Sequence, residues 1–483
     1  MPQFKDTMAL LNLQSLLCRS VQVCVAATLA SSFAYATETA QIVQLRVDTS
    51  TVVSRIPPDF IGFGYETSAV AQSNYFSATN AVLVRLYRQL SPHGLIRIGG
   101  NVSDHTRFEP EGVAAARTER EITVINNASL QNLGDFARAT GWKVMWGLNL
   151  GSGSKEEAAR EAVAVDAALG TNLHSFQIGN EVDALRRFEK KYELYHAAYT
   201  EYKAAIRAAL PKAVFSGPDV IGNWEWITNF VKGESQDMRL LTHHYYRGGA
   251  RNPSSTMEKL LRRDTAWEER LRDLQQLCRE HHLAYRICEV NSFYGGGRPG
   301  VSDTFGSALW CLDYMFCLAS FGCEGVNMET DVNQLGFISH YSPIVHDENG
   351  RCSVRPEYYG MLAFAFAAKG DLVGLTFENT NTNLSVYATK AGDGTLFVTA
   401  LNKDFAHSMA IEVRAPKDYG RGEVLRLAAP SVESKTGVTF GTSAVTADGT
   451  WTPGAQEKCE LKQGIVRLNL PRASAVVLSM RPR

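Results

Sequence analysis

Eight short apolar segments alternate with helix-like segments from about residue 60 onward, and this alternation constrains the fold more than any other feature. The apolar segments are nearly continuous, as parallel strands buried on both faces should be; they cover residues 60–66, 94–101, 143–150, 173–181, 213–220, 239–246, 284–291 and 325–330. Apolar residues recur with helical period between them, most clearly over 78–90, 155–169, 189–210, 256–281 and 304–321. The pattern predicts a (β/α)8 barrel, with a doubly wound open sheet as the alternative.

The pattern changes after residue 369. Seven short strand candidates follow, separated by turn residues, over 372–379, 384–391, 395–403, 409–415, 422–429, 458–470 and 473–480. Strands without intervening helices predict an all-β sandwich. The strand-like segment 41–56 precedes the barrel, and we expect it to join that sandwich. The predicted domains are therefore an N-terminal strand region over 37–58, a barrel over 59–370 and a β-sandwich over 371–483.

The first 36 residues resemble a cleavable signal peptide. Lys5 and Arg19 precede an apolar run over 21–34, and Ala34-Tyr35-Ala36 has the small-x-small form of a cleavage site. The run is too short for a transmembrane span. We expect a secreted or periplasmic protein without a membrane anchor; the alternative is a buried N-terminal helix.

Charge and cysteine content exclude some classes of function. Lys and Arg number 49 against 50 Asp and Glu, for a net charge of −1, and a broad nucleic-acid surface needs a basic excess. Seven of the nine cysteines lie beyond the predicted signal, so at least one thiol is free, and we expect most to be buried. His243 and His244 are neighbours on a predicted strand and point to opposite faces. We therefore expect neither a metal nor a cofactor.

Two carboxylates close opposite strands of the predicted barrel. Active sites of such barrels lie at the carboxyl ends of the strands. Glu181 ends the fourth strand and Glu289 the seventh, so their side chains can face each other across the barrel mouth. Two carboxyl groups about 5–5.5 Å apart suit a retaining glycosidase, in which one acts as proton donor and the other as nucleophile. Structural ion pairs are the alternative for either residue.

The motifs around these acids are specific. They are Ile98-Gly99-Gly100-Asn101, Gln177-Ile178-Gly179-Asn180-Glu181, His243-His244-Tyr245-Tyr246 and Glu289-Val290-Asn291-Ser292. Together they resemble glycoside hydrolase family 79 of clan A, which contains bacterial β-glucuronidases and heparanases. The resemblance runs from about residue 41 to the end of the chain, and it implies a barrel joined to a β-sandwich.

The resemblance also assigns roles to single residues. It implies that Glu181 is the acid/base and Glu289 the nucleophile. It further implies that Asn180 bonds the sugar 2-hydroxyl, that Tyr245 is the tyrosine beside the nucleophile and that Glu66 meets the sugar hydroxyls. From the residues themselves, we expect the phenol of Tyr245 to donate to Glu289, unless Tyr245 is a packed core residue. We expect a structural and electrostatic role for Arg97.

A glycine-rich loop over 292–300 directly follows Glu289. Its three consecutive glycines leave backbone N–H groups uncovered, and such concavities bind anions. The resemblance implies that Tyr294 and Gly296 meet the C6 carboxylate of a uronic acid, and that Tyr341 also reaches it. A plain flexible turn is the alternative. The loop also matches GxGxxG, but Pro299 opposes the helix that a dinucleotide site requires.

These inferences predict a secreted retaining β-glucuronidase that releases β-linked glucuronic acid from glycans. Its expected partner is a glucuronic-acid-containing glycan or glycoside. Three alternatives stay open: an endo-β-glucuronidase of heparanase type acting on heparan-sulfate-like chains, an inactive carbohydrate-binding protein, and another clan A specificity such as arabinofuranosidase or xylosidase.

Overall fold

The computed structural model describes residues 42–483 except 73, 118–120, 332–337, 348 and 379–381. This part of the chain forms one compact unit. The signal peptide predicted over 1–36 lies outside the described residues. Within them, every helix is too short or too polar to cross a membrane.

Eight parallel strands form the barrel and are called barrel strands 1 to 8. In chain order they are Gly62–Glu66, Leu95–Gly99, Lys143–Leu148, Leu173–Ile178, Gly217–Val220, Leu240–Tyr246, Ala284–Asn291 and Val326–Glu329. They pair in the order 4-3-2-1-8-7-6-5. Strands 4 and 5 meet where Phe176 N donates to Val214 O at 2.8 Å and Ser216 N donates to Phe176 O at 2.9 Å. The sheet therefore closes, which confirms the predicted barrel over the open sheet.

Helices fill the connections between the strands. The longer ones are Ala81–Leu90, Asn127–Thr140, Lys155–Leu169, Tyr192–Ala209, Trp224–Glu234, Thr265–Glu280, Phe305–Ser320 and Pro356–Ala367, and the short ones are Gly100–Ser103 and Met257–Leu261. The helix predicted over 256–281 is two helices, because Arg262 is extended and the Asp264 carboxylate caps a new start by accepting from Trp267 N at 3.2 Å. An N-cap residue of this kind breaks the helical backbone. The spacing of the apolar residues continues across the break, so the sequence pattern predicts a single helix.

The described chain also contains shorter elements of secondary structure. Single turns of 3-10 helix cover Thr67–Ala69, Gly170–Asn172, Arg186–Phe188 and Ser235–Asp237. Two short pairs of strands join Thr106–Phe108 to Thr123–Ile125 and Ile344–His346 to Cys352–Val354.

Ten strands form the second sheet, which is mostly antiparallel. They are Ile42–Arg55, Asp371–Phe377, Leu384–Lys390, Leu396–Asn402, Met409–Arg414, Tyr419–Ala428, Thr439–Phe440, Glu457–Glu460, Ile465–Leu470 and Ser474–Pro482. The strand predicted over 458–470 is two strands separated by a turn. Ile42–Arg55 lies between Asp371–Phe377, to which it runs antiparallel, and Met409–Arg414, to which it runs parallel.

This second sheet folds over its own core. Ile465–Leu470 and Ser474–Pro482 are six steps apart along the sheet, which would be about 29 Å if the sheet were flat. Leu468 and Leu478 nevertheless belong to one buried cluster. The two layers of the predicted sandwich therefore arise from one continuous, strongly curved sheet.

A buried acid between barrel strand 3 and helix Lys155–Leu169 makes the free energy of unfolding depend on pH. Glu161 on helix Lys155–Leu169 is buried and accepts one hydrogen bond, from Trp146 Nε1 at 2.8 Å. Burial raises the pKa of Glu161 from 4.5 to about 7. The unfolded chain therefore loses this proton at a lower pH than the folded chain, so the free energy of unfolding should fall as pH rises from about 4.5 through 7.

We expect Glu161→Gln to stabilise the protein at pH 8 by roughly 2–3 kcal/mol, because the amide keeps an acceptor for Trp146 and carries no charge. At pH 4.5 the variant and the wild type should unfold at nearly the same denaturant concentration. Glu156→Gln, an exposed change on the same helix, is the matched control. An equal effect of Glu161→Gln at both pH values would contradict the assigned pKa.

Candidate active site

Glu181 and Glu289 meet at the carboxyl end of the barrel. Glu181 follows strand 4 through a turn in which its own φ is 44°, and Glu289 lies on strand 7. One oxygen of each carboxylate lies within 4.8 Å of the other. Both side chains line a cavity of about 1090 Å³, and they are 23% and 12% exposed. The strand positions predicted for these two acids thus bring their carboxylates together.

His244 lies between the two carboxylates. Its Nδ1 atom is 3.2 Å from Glu181 Oε1 and 3.7 Å from Glu289 Oε2. Burial opposes a charge on this imidazole, but the carboxylates of Asp219 and Glu289 outweigh burial and raise the pKa of His244 well above its usual value. The charges of Asp219 and Glu289 therefore favour the protonated, cationic form of His244.

The two acids have different surroundings. Burial raises the pKa of Glu181, and the charge of Glu289 adds to that rise while the hydrogen bond from His244 opposes it. Glu289 accepts a hydrogen bond from Arg97 Nη1 at 2.8 Å and another from Tyr246 Oη at 3.0 Å. Glu181 is thus suited to hold a proton, whereas the Glu289 carboxylate is oriented by two hydrogen-bond donors.

The phenol that donates to Glu289 belongs to Tyr246, so the expectation for Tyr245 is wrong. Tyr245 Oη donates to Asp264 Oδ2 at 2.7 Å, and its ring stacks on Trp267 with centroids 4.2 Å apart. Adjacent residues of a strand face opposite sides, so a choice wrong by one residue reverses the direction of the side chain. Tyr245 still contributes to the cavity wall.

Arg97 is held by an acid that the sequence analysis missed. Its Nη2 atom lies 2.6 Å from Asp219 Oδ2 and 2.5 Å from Asn180 Oδ1. Asp219 lies on strand 5, one residue before its end, and is 1% exposed. Burial opposes its charge, but His244 and Arg97 lower the pKa of Asp219 far below its usual value. The one available signal was an acidic residue inside the apolar segment 213–220.

Asp219 binds more than Arg97. Gln177 Nε2 donates to Asp219 Oδ1 at 2.6 Å and Cys288 Sγ donates to the same oxygen at 2.7 Å. His244 Nε2 also lies 2.9 Å from Oδ1, although outside hydrogen-bond geometry. One buried carboxylate thus connects the two cations that contact the catalytic pair.

Asn180 and Glu66 are both held by hydrogen bonds near the two acids, and of the two only Glu66 lines the cavity. The Asn180 amide accepts from Arg97 and donates to Asn101 Oδ1 at 3.0 Å. Glu66 accepts backbone hydrogen bonds from Val102 at 2.8 Å and Asn101 at 3.2 Å. Burial, followed by the charge of Glu289, raises the pKa of Glu66 well above its usual value. Glu66 is one of the residues that line the cavity.

The glycine-rich loop forms another wall of the same cavity. Gly295 and Gly296 have φ values of 81° and 85°, and within the described residues their N–H groups donate no hydrogen bond. Tyr294 is 60% exposed. The rings of Tyr294 and Tyr341 lie 6.2 and 6.3 Å from that of Tyr246. The structure therefore places every residue predicted for the uronate around one space.

Two groups of three side chains in the described chain have the spacing of metal ligands: Asp219, His244 and Cys288, and Glu181, His244 and Glu289. Both groups contain His244, and the raised pKa of His244 favours the protonated imidazole, which has no lone pair for a metal. The seven described cysteines are all unpaired thiols, and Cys278, Cys288, Cys311, Cys323 and Cys352 are buried.

A closed eight-stranded barrel with facing carboxylates on strands 4 and 7 has the architecture of clan A glycoside hydrolases. Residues 79–315 match the family model "Glycosyl hydrolase family 79, N-terminal domain". This match confirms the resemblance to glycoside hydrolase family 79 found in the motifs.

Known relatives agree with this family. A β-glucuronidase from Aspergillus niger is 26% identical over 352 residues, which is 65% of this chain and 63% of the relative. Mouse heparanase is 23% identical over 359 residues, 60% of this chain and 65% of the relative. The matched region thus spans less than two thirds of each relative. A solved 4-O-α-L-rhamnosyl-β-D-glucuronidase from Fusarium oxysporum has the same fold, with a TM-score of 0.75 at 15% identity over 90% of this chain and all of that one.

Proposed function

We propose that the protein is a retaining β-glucuronidase, with Glu181 as acid/base and Glu289 as nucleophile. The observation that carries this proposal is the approach of their carboxylate oxygens to within 4.8 Å. Retaining enzymes separate the two carboxyl groups by about 5–5.5 Å, whereas inverting enzymes need about 6.5–9.5 Å to admit a water molecule.

The reaction proceeds in two displacements. Glu181, whose raised pKa favours the protonated form, donates its proton to the glycosidic oxygen while Glu289 attacks the anomeric carbon. The Glu289 ester is then hydrolysed by a water molecule that the Glu181 carboxylate deprotonates. Arg97 and Tyr246 hydrogen-bond the two oxygens of the Glu289 carboxylate and orient it for the attack. In this proposal Asn180, which precedes the acid in the sequence, bonds the sugar 2-hydroxyl.

The proposed sugar is a glucuronide because the cavity offers an anion site. The uncovered N–H groups of Gly295 and Gly296, with the phenols of Tyr294 and Tyr341, are donors without negative charge. They can bind a C6 carboxylate without neutralising the catalytic acids. The names of the A. niger and F. oxysporum proteins support this substrate class.

The stereochemical outcome tests the mechanism. We expect NMR of 4-nitrophenyl β-glucuronide hydrolysis to show β-glucuronic acid as the first product, before mutarotation. The α-anomer as first product would exclude Glu289 as a nucleophile. If the enzyme hydrolyses neutral aryl glycosides but not the glucuronide, the proposal of a glycosidase stands and the proposed specificity for uronic acids is contradicted.

An endo-acting enzyme is the second candidate, favoured by the similarity to mouse heparanase. The two modes differ in their products from a glucuronic-acid-containing polysaccharide. Exo action releases free glucuronic acid while chain length falls slowly, whereas endo action shortens the chains before the monosaccharide accumulates. Size-exclusion chromatography of a time course separates the two.

We also propose export, based on the signal-like segment over 1–36. Expression of the full chain in a Gram-negative host should yield a mature periplasmic protein that begins at residue 37. N-terminal sequencing identifies the cleavage site, and an intact cytoplasmic chain would contradict the proposal.

The anion loop can be tested with a matched pair of glycine substitutions. Gly296 and Gly300 both have left-handed backbone, with φ of 85° and 76°, but only Gly296 lines the cavity. A Cβ atom at Gly296 would have Ser339 Oγ at 3.6 Å as its neighbour, and one at Gly300 would meet no atom within 4 Å. Gly296→Ala should lower kcat/KM for an aryl glucuronide by about 10-fold or more, because charged hydrogen bonds are weakened.

The corresponding aryl glucoside should lose less, so the preference for glucuronide over glucoside should fall. Gly300→Ala carries the same backbone strain and should leave that preference unchanged. If both variants change the preference equally, backbone strain explains the effect and the loop does not bind the carboxylate.

A further inference from the structure

Arg270 lies on the wall of the cavity with no hydrogen-bond partner for its Nη1 atom among the described residues. It lies on helix Thr265–Glu280 and lines the same cavity as Glu181 and Glu289. Its Nη1 atom is shielded from solvent and, within the described residues, has no hydrogen-bond partner. The guanidinium lies instead over the ring of Trp224, with its Cζ atom 4.7 Å from the ring centroid. Stacking of this kind occupies a face of the guanidinium and leaves its N–H edge for a ligand.

Arg270 lies in a cavity whose other charged lining residues are mostly acids. Arg270 is the one Lys or Arg among the described lining residues, which include the six acids Glu66, Glu181, Asp264, Glu289, Glu329 and Asp331. Of these six acids, Asp264 is the nearest to Arg270 in sequence, and it is already paired with Arg247 and accepts from Tyr245. Buried polar groups of native proteins normally have partners. The missing partner of Arg270 therefore points to a ligand.

His243 adds a second buried group without a partner in the same place. It is 3% exposed and lines the cavity. Its Nδ1 atom faces the carbonyl oxygen of His244, so Nδ1 carries the proton and Nε2 is a free acceptor, with no partner among the described residues. Burial lowers the pKa of His243 to about 3, so the ring is neutral. The indole of Trp267 packs against this ring, with centroids 5.5 Å apart.

These residues form one corner of the cavity, called the Arg270 corner: Ile221, Gly222, His243, Trp267 and Arg270. They come from strand 6 and from the segments that follow strands 5 and 6, next to Glu181 at the end of strand 4. The glycine-rich loop and Tyr341 follow strands 7 and 8. The corner therefore lies on the Glu181 side of the nucleophile. The acid/base of a retaining glycosidase protonates the leaving oxygen, so the leaving group lies on that side.

We propose that the Arg270 corner is a leaving-group subsite that binds a carboxylate or sulfate on the aglycone. The inference rests on the proposed function, and it narrows the substrates to glucuronides of acidic aglycones. The Arg270 guanidinium supplies the charged donor fork that carboxylates and sulfates match. His243 Nε2 is an acceptor for a hydroxyl elsewhere on the aglycone. A neutral aglycone would leave the guanidinium without its counter-charge.

Three aryl β-glucuronides test the proposal: 4-carboxyphenyl, 4-sulfophenyl and the neutral 4-carbamoylphenyl compound. The readout is the ratio of kcat/KM for each acidic substrate to that for the neutral one. Arg270→Met should lower this ratio by about 10-fold or more. Arg272→Met, an exposed change on the same helix, should leave it unchanged. Added NaCl should lower the ratio in the wild type and have little effect in Arg270→Met.

Each outcome decides a separate point. An unchanged ratio in folded Arg270→Met overturns the subsite, and so does an equal loss on all three substrates, which would mark Arg270 as a structural residue. Dependence on Arg270 for only one acidic substrate supports the subsite and identifies its anion. If the wild type cleaves another glycoside but no glucuronide, the proposed function fails. The same three aglycones on that other sugar then measure the ratio, so the subsite is judged independently.

Discussion

Glu289→Gln should reduce kcat on every β-glucuronide by about 10⁴-fold or more, because the amide cannot form the glycosyl ester. The amide also lacks the charge that Arg97 and Tyr246 stabilise at 2.8 and 3.0 Å. Initial rates with 4-nitrophenyl β-glucuronide measure the loss. Near-wild-type turnover in a folded variant would remove Glu289 from the mechanism.

Glu181→Gln is the companion variant, and its effect should depend on the leaving group. An activated phenol departs without a proton, so the first step should be largely spared for 4-nitrophenol, whereas a poor leaving group such as an alkyl alcohol should lose about 10²–10⁴-fold. Burst kinetics separate the two steps. An equal loss of rate for good and poor leaving groups would contradict the assignment of Glu181 as proton donor.

Asp219→Asn is the second change with a large expected effect. Asp219 is 1% exposed and lies 2.6 Å from Arg97 and 2.9 Å from His244. Its neutralisation leaves the buried Arg97 without its nearest counter-charge, and such losses destabilise proteins by about 3–5 kcal/mol. We also expect kcat/KM to fall by about 100-fold, because two contacts to the catalytic acids lose their support.

The pH dependence of Asp219→Asn separates a positioning role from a purely structural one. Asp219 is one of two carboxylates that raise the pKa of His244, so its loss lowers that pKa toward the ordinary range of histidine. A new ionisation should then enter the kcat/KM profile between about pH 5 and 8, with activity falling as His244 loses its proton. His244→Gln should lack the new step and provides a test if Asp219→Asn does not fold. An Asp219→Asn profile of unchanged shape would leave Asp219 with a structural role alone.

The acids of this site could be placed from sequence because strand ends are encoded locally. Apolar runs ending in Glu181 and Glu289 indicate both the strand and its functional end. The direction of a side chain is a finer matter. Tyr245 and Tyr246 are chemically alike and adjacent, and only the packing of strand 6 decides that Tyr246 faces Glu289. The local sequence does not determine this choice.

Contacts between residues far apart in the chain could not be predicted from the sequence for a related reason. Asp219 resembles a single polar residue in an apolar segment until barrel closure brings it to Arg97, 122 positions away. Asp264 splits one expected helix into two by capping the second. Arg270 looks like any solvated helix residue in the sequence. Its lack of a partner becomes visible only when the surrounding side chains are in place.

The position of strand Ile42–Arg55 has a consequence for the order of folding. This strand leaves the ribosome before its two neighbours, Asp371–Phe377 and Met409–Arg414, which are synthesised more than 300 residues later. Contacts of such sequence separation form slowly. Val43 and Leu45 belong to the buried core of that sheet. During synthesis they therefore stay exposed to solvent until the two neighbouring strands have been made. The C-terminal sheet is not a module that folds alone, since a fragment that starts at Asp371 would lack an inner strand and present two unpaired edges.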